Sequence, residues 1–390
     1  MRRTIAISIC LTLLTALLSG CAAGTSDTLP TVTEEPSIEA APTPDPAEET
    51  PAGTEDAPVE PEDAPEATAG PADAGEDREE PPAPEEQRGH YRFQPKVCSS
   101  FMVELFGEPM RDAWYGLVDA VMAGEDTFAC PDDHTYDWVM GQFPDKCFPV
   151  LEQLIDYCYD RDHPVKDGVA SFTYRVPREE AAAQIEAFAA LVEDILNSTL
   201  RDDWSDTEKA LALYIYFSHH YTYDYEAARP DVVPDYLSSY RVLTTGTGIC
   251  QEFSVAYAYL LLQAGVDATN MSGHRTYDRA SHQWTYVRID GHNFHIDPTY
   301  VIGNTDALGY FMMDDAQREA EDCYDRAEFV ICSNYAQDHP QPDYRADDDS
   351  FREIWQGRYV GFDHESRTLT YAVYNEQGEL IAKDFDYTGW

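Results

Sequence analysis

Gly246-Thr247-Gly248-Ile249-Cys250-Gln251-Glu252-Phe253, then Ser281-His282-Gln283-Trp284 and His295-Ile296-Asp297-Pro298-Thr299-Tyr300, decide how this chain is read. A cysteine, a histidine and an aspartate follow one another, the inventory of a thiol nucleophile, its base and the group that orients the base. Ala256, Tyr257, Leu260, Leu261 and Ala264 recur at helical spacing after Cys250, while Gly246 and Gly248 allow a sharp entry. Cys250 is therefore expected at a helix N-terminus. The free amides and the dipole there favour an anion and raise the thiolate fraction.

The other two residues are tied together by Asp290-Gly291, a strong signal for a two-residue hairpin turn. Such a turn sets Ile289 opposite His292, Val287 opposite Phe294 and Trp284 opposite Asp297. His282 then lies diagonally from Asp297 on one face, within reach of an imidazole-carboxylate hydrogen bond once the strands twist. Val287, Ile289, Phe294 and Ile296 make the opposite, core-facing side. A slip of one residue separates histidine from aspartate, so the pairing is a sharp expectation. His295 shares the polar face and is the weaker competitor for the base. A zinc site of Cys250 with nearby histidines has no support from spacing, so no metal and no cofactor is expected.

Gly248-Ile249-Cys250, His282 with Trp284 two residues later, and Asp297-Pro298-Thr299 resemble the three motifs of the transglutaminase-like superfamily. The resemblance covers roughly residues 211–300. It implies a papain-like Cys-His-Asp arrangement in which Cys250 is the nucleophile, His282 the base and Asp297 the orienter. It also implies acyl transfer, or peptidase or amidase chemistry, in a family some of whose members have lost activity. Tyr223 resembles an upstream tyrosine of bacterial members; with Gln251 and Trp284 it is a candidate for the cleft or an oxyanion hole. Glu252 and Phe253 stand where Gly and Tyr are frequent, and Tyr300 where Trp is common, departures expected to bear on the cleft.

Around this centre the chain divides into residues 1–21, 22–89, 90–200, 201–310 and 311–390. Val150-Leu151-Leu154-Ile155-Cys158 has helical spacing and belongs to an expected helical N-terminal subdomain, 90–200. A short strand, 170–176, and a helix, 179–196, follow. Ser205-Asp206-Thr207-Glu208 has the form of a capping box and starts a helix that ends before the extended Tyr221-Thr222-Tyr223-Asp224-Tyr225. The catalytic core, 201–310, is expected as a Cys-bearing helix on an antiparallel sheet. The extension, 311–390, carries a β-meander over 358–382. The fold class is α+β.

The N-terminus sets the compartment. Arg2 and Arg3 precede an apolar run, Ile5 to Leu18, that is too short to span a bilayer and closes on Leu18-Ser19-Gly20-Cys21. The run resembles a bacterial lipoprotein signal with Cys21 as the lipidated residue, which implies a membrane-anchored, extracytoplasmic protein. Residues 22–89 are rich in Pro, Ala, Glu, Asp and Thr and cannot bury enough surface to fold. At ~3.1 Å per residue this tether reaches on the order of 200 Å.

The formal net charge of −47 argues against a nucleic-acid partner. Asp347-Asp348-Asp349 lack the alternate spacing of a calcium loop. Nine cysteines, less Cys10 and Cys21, leave seven; with Cys250 as the reactive one, six remain for up to three disulfides. The expected partner is a peptide, protein or peptidoglycan-peptide substrate at the cell envelope. The competing readings are a non-catalytic envelope module that keeps the fold, and a redox or metal-binding surface protein.

Overall fold

The computed structural model describes residues 89–390 except 161–162, 230–231, 233–235 and 333–340. The expected signal, the Cys21 anchor and the tether lie outside the described residues. The N-terminal part holds α1 (Ser100–Phe106), α2 (Glu108–Ala123), α3 (Asp133–Gly141), α4 (Phe143–Cys147) and the single turn α5 (Leu151–Leu154). It also holds a small sheet in which β1 (Thr127–Ala129), β2 (Ile155–Tyr157) and β3 (Val165–Lys166) all pair antiparallel with β4 (Val169–Tyr174).

Strand β2 corrects the helical reading of Val150 to Cys158. Helix α5 stops at Leu154, and Ile155 pairs with Tyr174 and Tyr157 with Phe172. The helical spacing of the apolar residues is satisfied equally by one helical turn followed by a strand. Branched and aromatic side chains over 155–157 find a waiting partner in β4, and the pairing wins.

Helix α6 (Arg178–Thr199) is followed by α7 (Asp206–His220), opened by a complete capping box: the Glu208 amide donates to Ser205 Oγ at 3.3 Å and the Ser205 amide to Glu208 Oε2 at 2.6 Å. The chain then forms β5 (Thr222–Tyr223), α8 (Ser239–Thr245) and β6 (Thr247–Gly248), with β5 and β6 paired in parallel. Helix α9 (Cys250–Gln263) is buried along nearly its whole length, which makes it the central helix.

It packs on an antiparallel sheet of β7 (Asp267–His274), β8 (Ser281–Ile289) and β9 (His292–Ile296). A 3₁₀ turn (Pro298–Val301) follows, then α10 (Asp315–Ala320) and β10 (Val330–Ile331), which pairs with β7 as the sheet's edge. The extension thus contributes to the central sheet. The meander, β11 (Arg358–Asp363), β12 (Thr368–Tyr374) and β13 (Leu380–Asp386), is a separate three-stranded sheet.

The turn between β8 and β9 has Asp290 at φ 51° and Gly291 at φ 83°, the left-handed pair that a two-residue hairpin of this hand needs. Ile289 pairs with His292 and Val287 with Phe294. The register read from the sequence is therefore the register observed, and Val287, Ile289, Phe294 and Ile296 are fully buried.

The disulfide arithmetic is corrected: Cys98, Cys130, Cys147, Cys158, Cys250, Cys323 and Cys332 are free thiols. Cys130 and Cys158 give their S–H groups to the nearby carbonyls of Asp132 and Asp160, and Cys332 is buried beside Thr269. They behave as small apolar residues with a weak donor.

Candidate active site

The site begins with how α9 starts. Gly248 lies so close to α8 that a Cβ there would overlap Cγ2 of Val242. Glu252, fully buried, accepts from the Ile249 amide through Oε2 (3.0 Å) and from the Ser238 amide through Oε1 (3.0 Å). Arg241 from α8 donates to both of its oxygens and to Asp224 Oδ2 at 2.8 Å. This buried cluster fixes the loop from which Cys250 emerges as the first helical residue. Glu252 and Phe253 therefore do not shape the cleft, contrary to the sequence expectation. Glu252 secures the helix start, and Phe253 is core, packed near Phe217, Tyr221 and Tyr223.

Strand β8 brings His282 to the thiol, and the end of β9 brings Asp297. His282 Nε2 and Asp297 Oδ2 are 2.6 Å apart. An ionised carboxylate only accepts, so Nε2 carries the proton and Nδ1 is the nitrogen left for the neighbouring Cys250 thiol. Burial alone would raise the Cys250 thiol, but the imidazolium charge, its hydrogen bond and the Gln283 backbone amide hold the thiol below its ordinary value. Burial acts to lower His282, yet Asp297 and Cys250 outweigh it and push the imidazolium up to about 10. Asp297, though buried, is held below the usual carboxylate range by His282 and then by Arg318. The three charges stabilise a thiolate-imidazolium pair backed by a carboxylate.

Arg318, from α10, is the residue that sequence reasoning missed. Its Nη1 donates to Asp297 Oδ2 at 2.9 Å, and its guanidinium is fully buried between the rings of Trp284 (4.8 Å) and Tyr324 (4.6 Å). The Thr299 amide donates to the second Asp297 oxygen at 3.1 Å. No local pattern marks Arg318, which lies 21 positions beyond its partner among acidic residues.

Trp284 is not a cleft residue. It is fully buried, its ring stacks 6.0 Å from that of His282, and its Nε1–H donates to His295 Nδ1 at 2.9 Å. His295 Nε2 therefore carries its proton toward Asp315 Oδ1, 3.0 Å away. Both nitrogens are engaged and burial keeps His295 below its ordinary pKa, so it is a neutral support for Trp284, not the base. Tyr223 does line the cleft; burial and the Cys250 charge push its hydroxyl up to about 12, leaving it a protonated donor. Gln251 is the half-buried second residue of α9. Among the described residues no cluster of His, Cys, Asp or Glu could hold a metal.

A helix-borne cysteine facing a His–Asp pair on an antiparallel sheet defines the papain-like class of thiol sites. Residues 193–298 match the family model described as the Transglutaminase-like superfamily, and this part of the chain is a transglutaminase-like core. No curated protein sequence matches the chain. Among solved structures it is similar to a proposed cysteine protease from Cytophaga hutchinsonii (18% identity, 24% of this chain and 32% of that one, TM-score 0.21). It is also similar to a TGase (22%, 32% and 34%, TM-score 0.26) and to the periplasmic domain of TgpA from Pseudomonas aeruginosa bound to ethylmercury (20%, 25% and 38%, TM-score 0.20). The alignments span about a third of the length of these structures.

Proposed function

We propose that the protein is a membrane-anchored, extracytoplasmic cysteine enzyme that cleaves or transfers amide bonds of envelope proteins or peptides. The observation that carries this reading is the buried His282–Asp297 pair set against a thiol at the start of α9. The Cys250 thiolate adds to a carboxamide or peptide carbonyl, and the backbone amides at the helix start receive the developing oxyanion. His282 then delivers its proton to the departing amine, leaving a thioester. Water or an acceptor amine gives a proton back to His282, adds to the thioester and releases the thiol.

The extracytoplasmic anchor rests on the lipobox-like Leu18-Ser19-Gly20-Cys21, and the reach of the Pro-rich segment puts envelope peptides within range. Among the described residues no helix is long and apolar enough to cross a membrane.

The test is the pH dependence of iodoacetamide alkylation of the full chain, with each labelled cysteine located by mass spectrometry. Fast labelling of Cys250 well below pH ~8.5, lost in His282→Ala, is the expected result. Labelling of Cys250 no faster than that of the other thiols makes the protein a non-catalytic module.

A further inference from the structure

The wall beside the imidazole is aromatic and uncharged. A cleft of about 360 Å³ opens next to His282 and is lined by Tyr223, Tyr225, Tyr300, Ile302 and Thr222 among others, and among the described residues no carboxylate, lysine or arginine lines it. That neutrality is unusual on a chain of net charge −47. Two described acids close to the lining residues in sequence are engaged elsewhere. Asp224 bonds Arg241, and Asp306 bonds Ser218 Oγ at 2.9 Å and His219 at 3.0 Å.

The tyrosines are held as walls. Tyr300 stacks on Tyr310 at 4.3 Å and 17°, and Tyr225 leans on Tyr223 at 5.0 Å. Tyr225 is 79% exposed, so core packing does not account for a large aromatic there. A rigid ring at the mouth of a pocket gives contact area at little entropic cost.

The His282 side chain is 11% exposed and forms part of this same lining, so the cleft is continuous with the reacting centre. Resting on the proposed thiol chemistry, we infer that the cleft is a specificity subsite for a neutral aromatic side chain next to the carboxamide attacked. An acidic side chain would be desolvated there with no cation but the His282 imidazolium, which Asp297 already holds, and a basic one would find no carboxylate among the described lining residues. An aromatic side chain gains burial and edge or face contacts with Tyr225 and Tyr300.

The test compares N-benzyl-iodoacetamide with iodoacetamide and with its N-carboxymethyl and N-aminoethyl derivatives, reading the rate at Cys250 of the full chain. The N-benzyl reagent is expected to react about tenfold faster than the unsubstituted one, the effect of burying roughly half an aromatic side chain. In Tyr225→Ala and Ile302→Ala the ratio of the two rates falls toward one. A ratio near one in the unaltered chain, or a faster charged reagent, overturns the subsite. Slow labelling by iodoacetamide itself overturns the catalytic reading instead. Saturation-transfer NMR with N-acetylphenylalaninamide reads the cleft independently of the thiol. Transfer to the ring protons that disappears in Tyr225→Ala supports the subsite, and absence of transfer from the unaltered chain overturns it.

Discussion

Replacing Arg318 by methionine should both destabilise the protein and loosen the His282–Asp297 pair. The guanidinium is fully buried on Asp297 and sandwiched between Trp284 and Tyr324. Removing one partner of a buried ion pair costs about 3–5 kcal/mol, and a desolvated cation-π contact adds up to about 2 kcal/mol. Two effects offset this: Asp297 keeps His282 and the Thr299 amide, and methionine fills most of the space between the rings. A net loss of about 3 kcal/mol is expected, which for a domain of this size lowers Tm by about 5–10 °C in differential scanning calorimetry. The pH arm has a definite sign. A carboxyl held below its ordinary range contributes stability above that range and loses it as pH falls through the depressed value. Without Arg318 that loss moves to higher pH, and the acid limb of Cys250 alkylation moves up with it. Arg318→Lys keeps the charge but not the planar fork and should fall between the two. A Tm within about 1 °C of the unaltered protein, together with an unmoved acid limb, refutes the assigned role.

The His282 imidazolium, pushed up to about 10, keeps its proton below that pH and loses it above. Amide turnover should therefore decline as pH rises through about 10 while Cys250 alkylation, which needs only the thiolate, does not; parallel decline of both rates argues against His282 as the acid. Glu252→Ala removes the carboxylate that joins the Ile249 and Ser238 amides to Arg241 and should cost about 3 kcal/mol in urea unfolding, with Cys250 labelling slowed. A loss below about 0.5 kcal/mol would mean that this cluster does not hold the start of α9.

The parts of the site legible in the sequence are those set by local rules. Asp290-Gly291 dictates a turn, the turn dictates the pairing of Ile289 with His292, and a period of two places His282 and Asp297 on one face. The start of α9 was legible for a similar reason, since two glycines and a helical repeat bracket Cys250. Arg318, Trp284 and Glu252 were not, because their roles depend on packing between elements. A buried arginine on α10 and a solvated one have the same local neighbours in sequence. The helical spacing of Val150 to Cys158 failed for the complementary reason. Over so few residues, helix and turn-plus-strand satisfy the same apolar positions, and only β4 decides between them.

The match to the transglutaminase-like family stops at residue 298, but the physical unit that holds Cys250, His282 and Asp297 does not. Asp297 is a buried carboxylate whose guanidinium partner comes from residue 318. Arg318 in turn lies on the ring of Trp284, whose nitrogen is bonded to His295, and His295 is anchored by Asp315, itself bonded to Arg326 Nε at 2.6 Å. Each link after Asp297 that comes from α10 or beyond lies in the extension, which also supplies the edge strand β10. A chain cut at residue 310 would keep Cys250, His282 and Asp297 and leave the orienting carboxylate without its guanidinium. An unpaired buried charge is relieved by taking up a proton or admitting water. Either change weakens the fixed carboxylate on which the imidazolium, and through it the thiolate, depends. The extension is therefore part of the electrostatic support of the site, as integral to it as the sheet that carries His282.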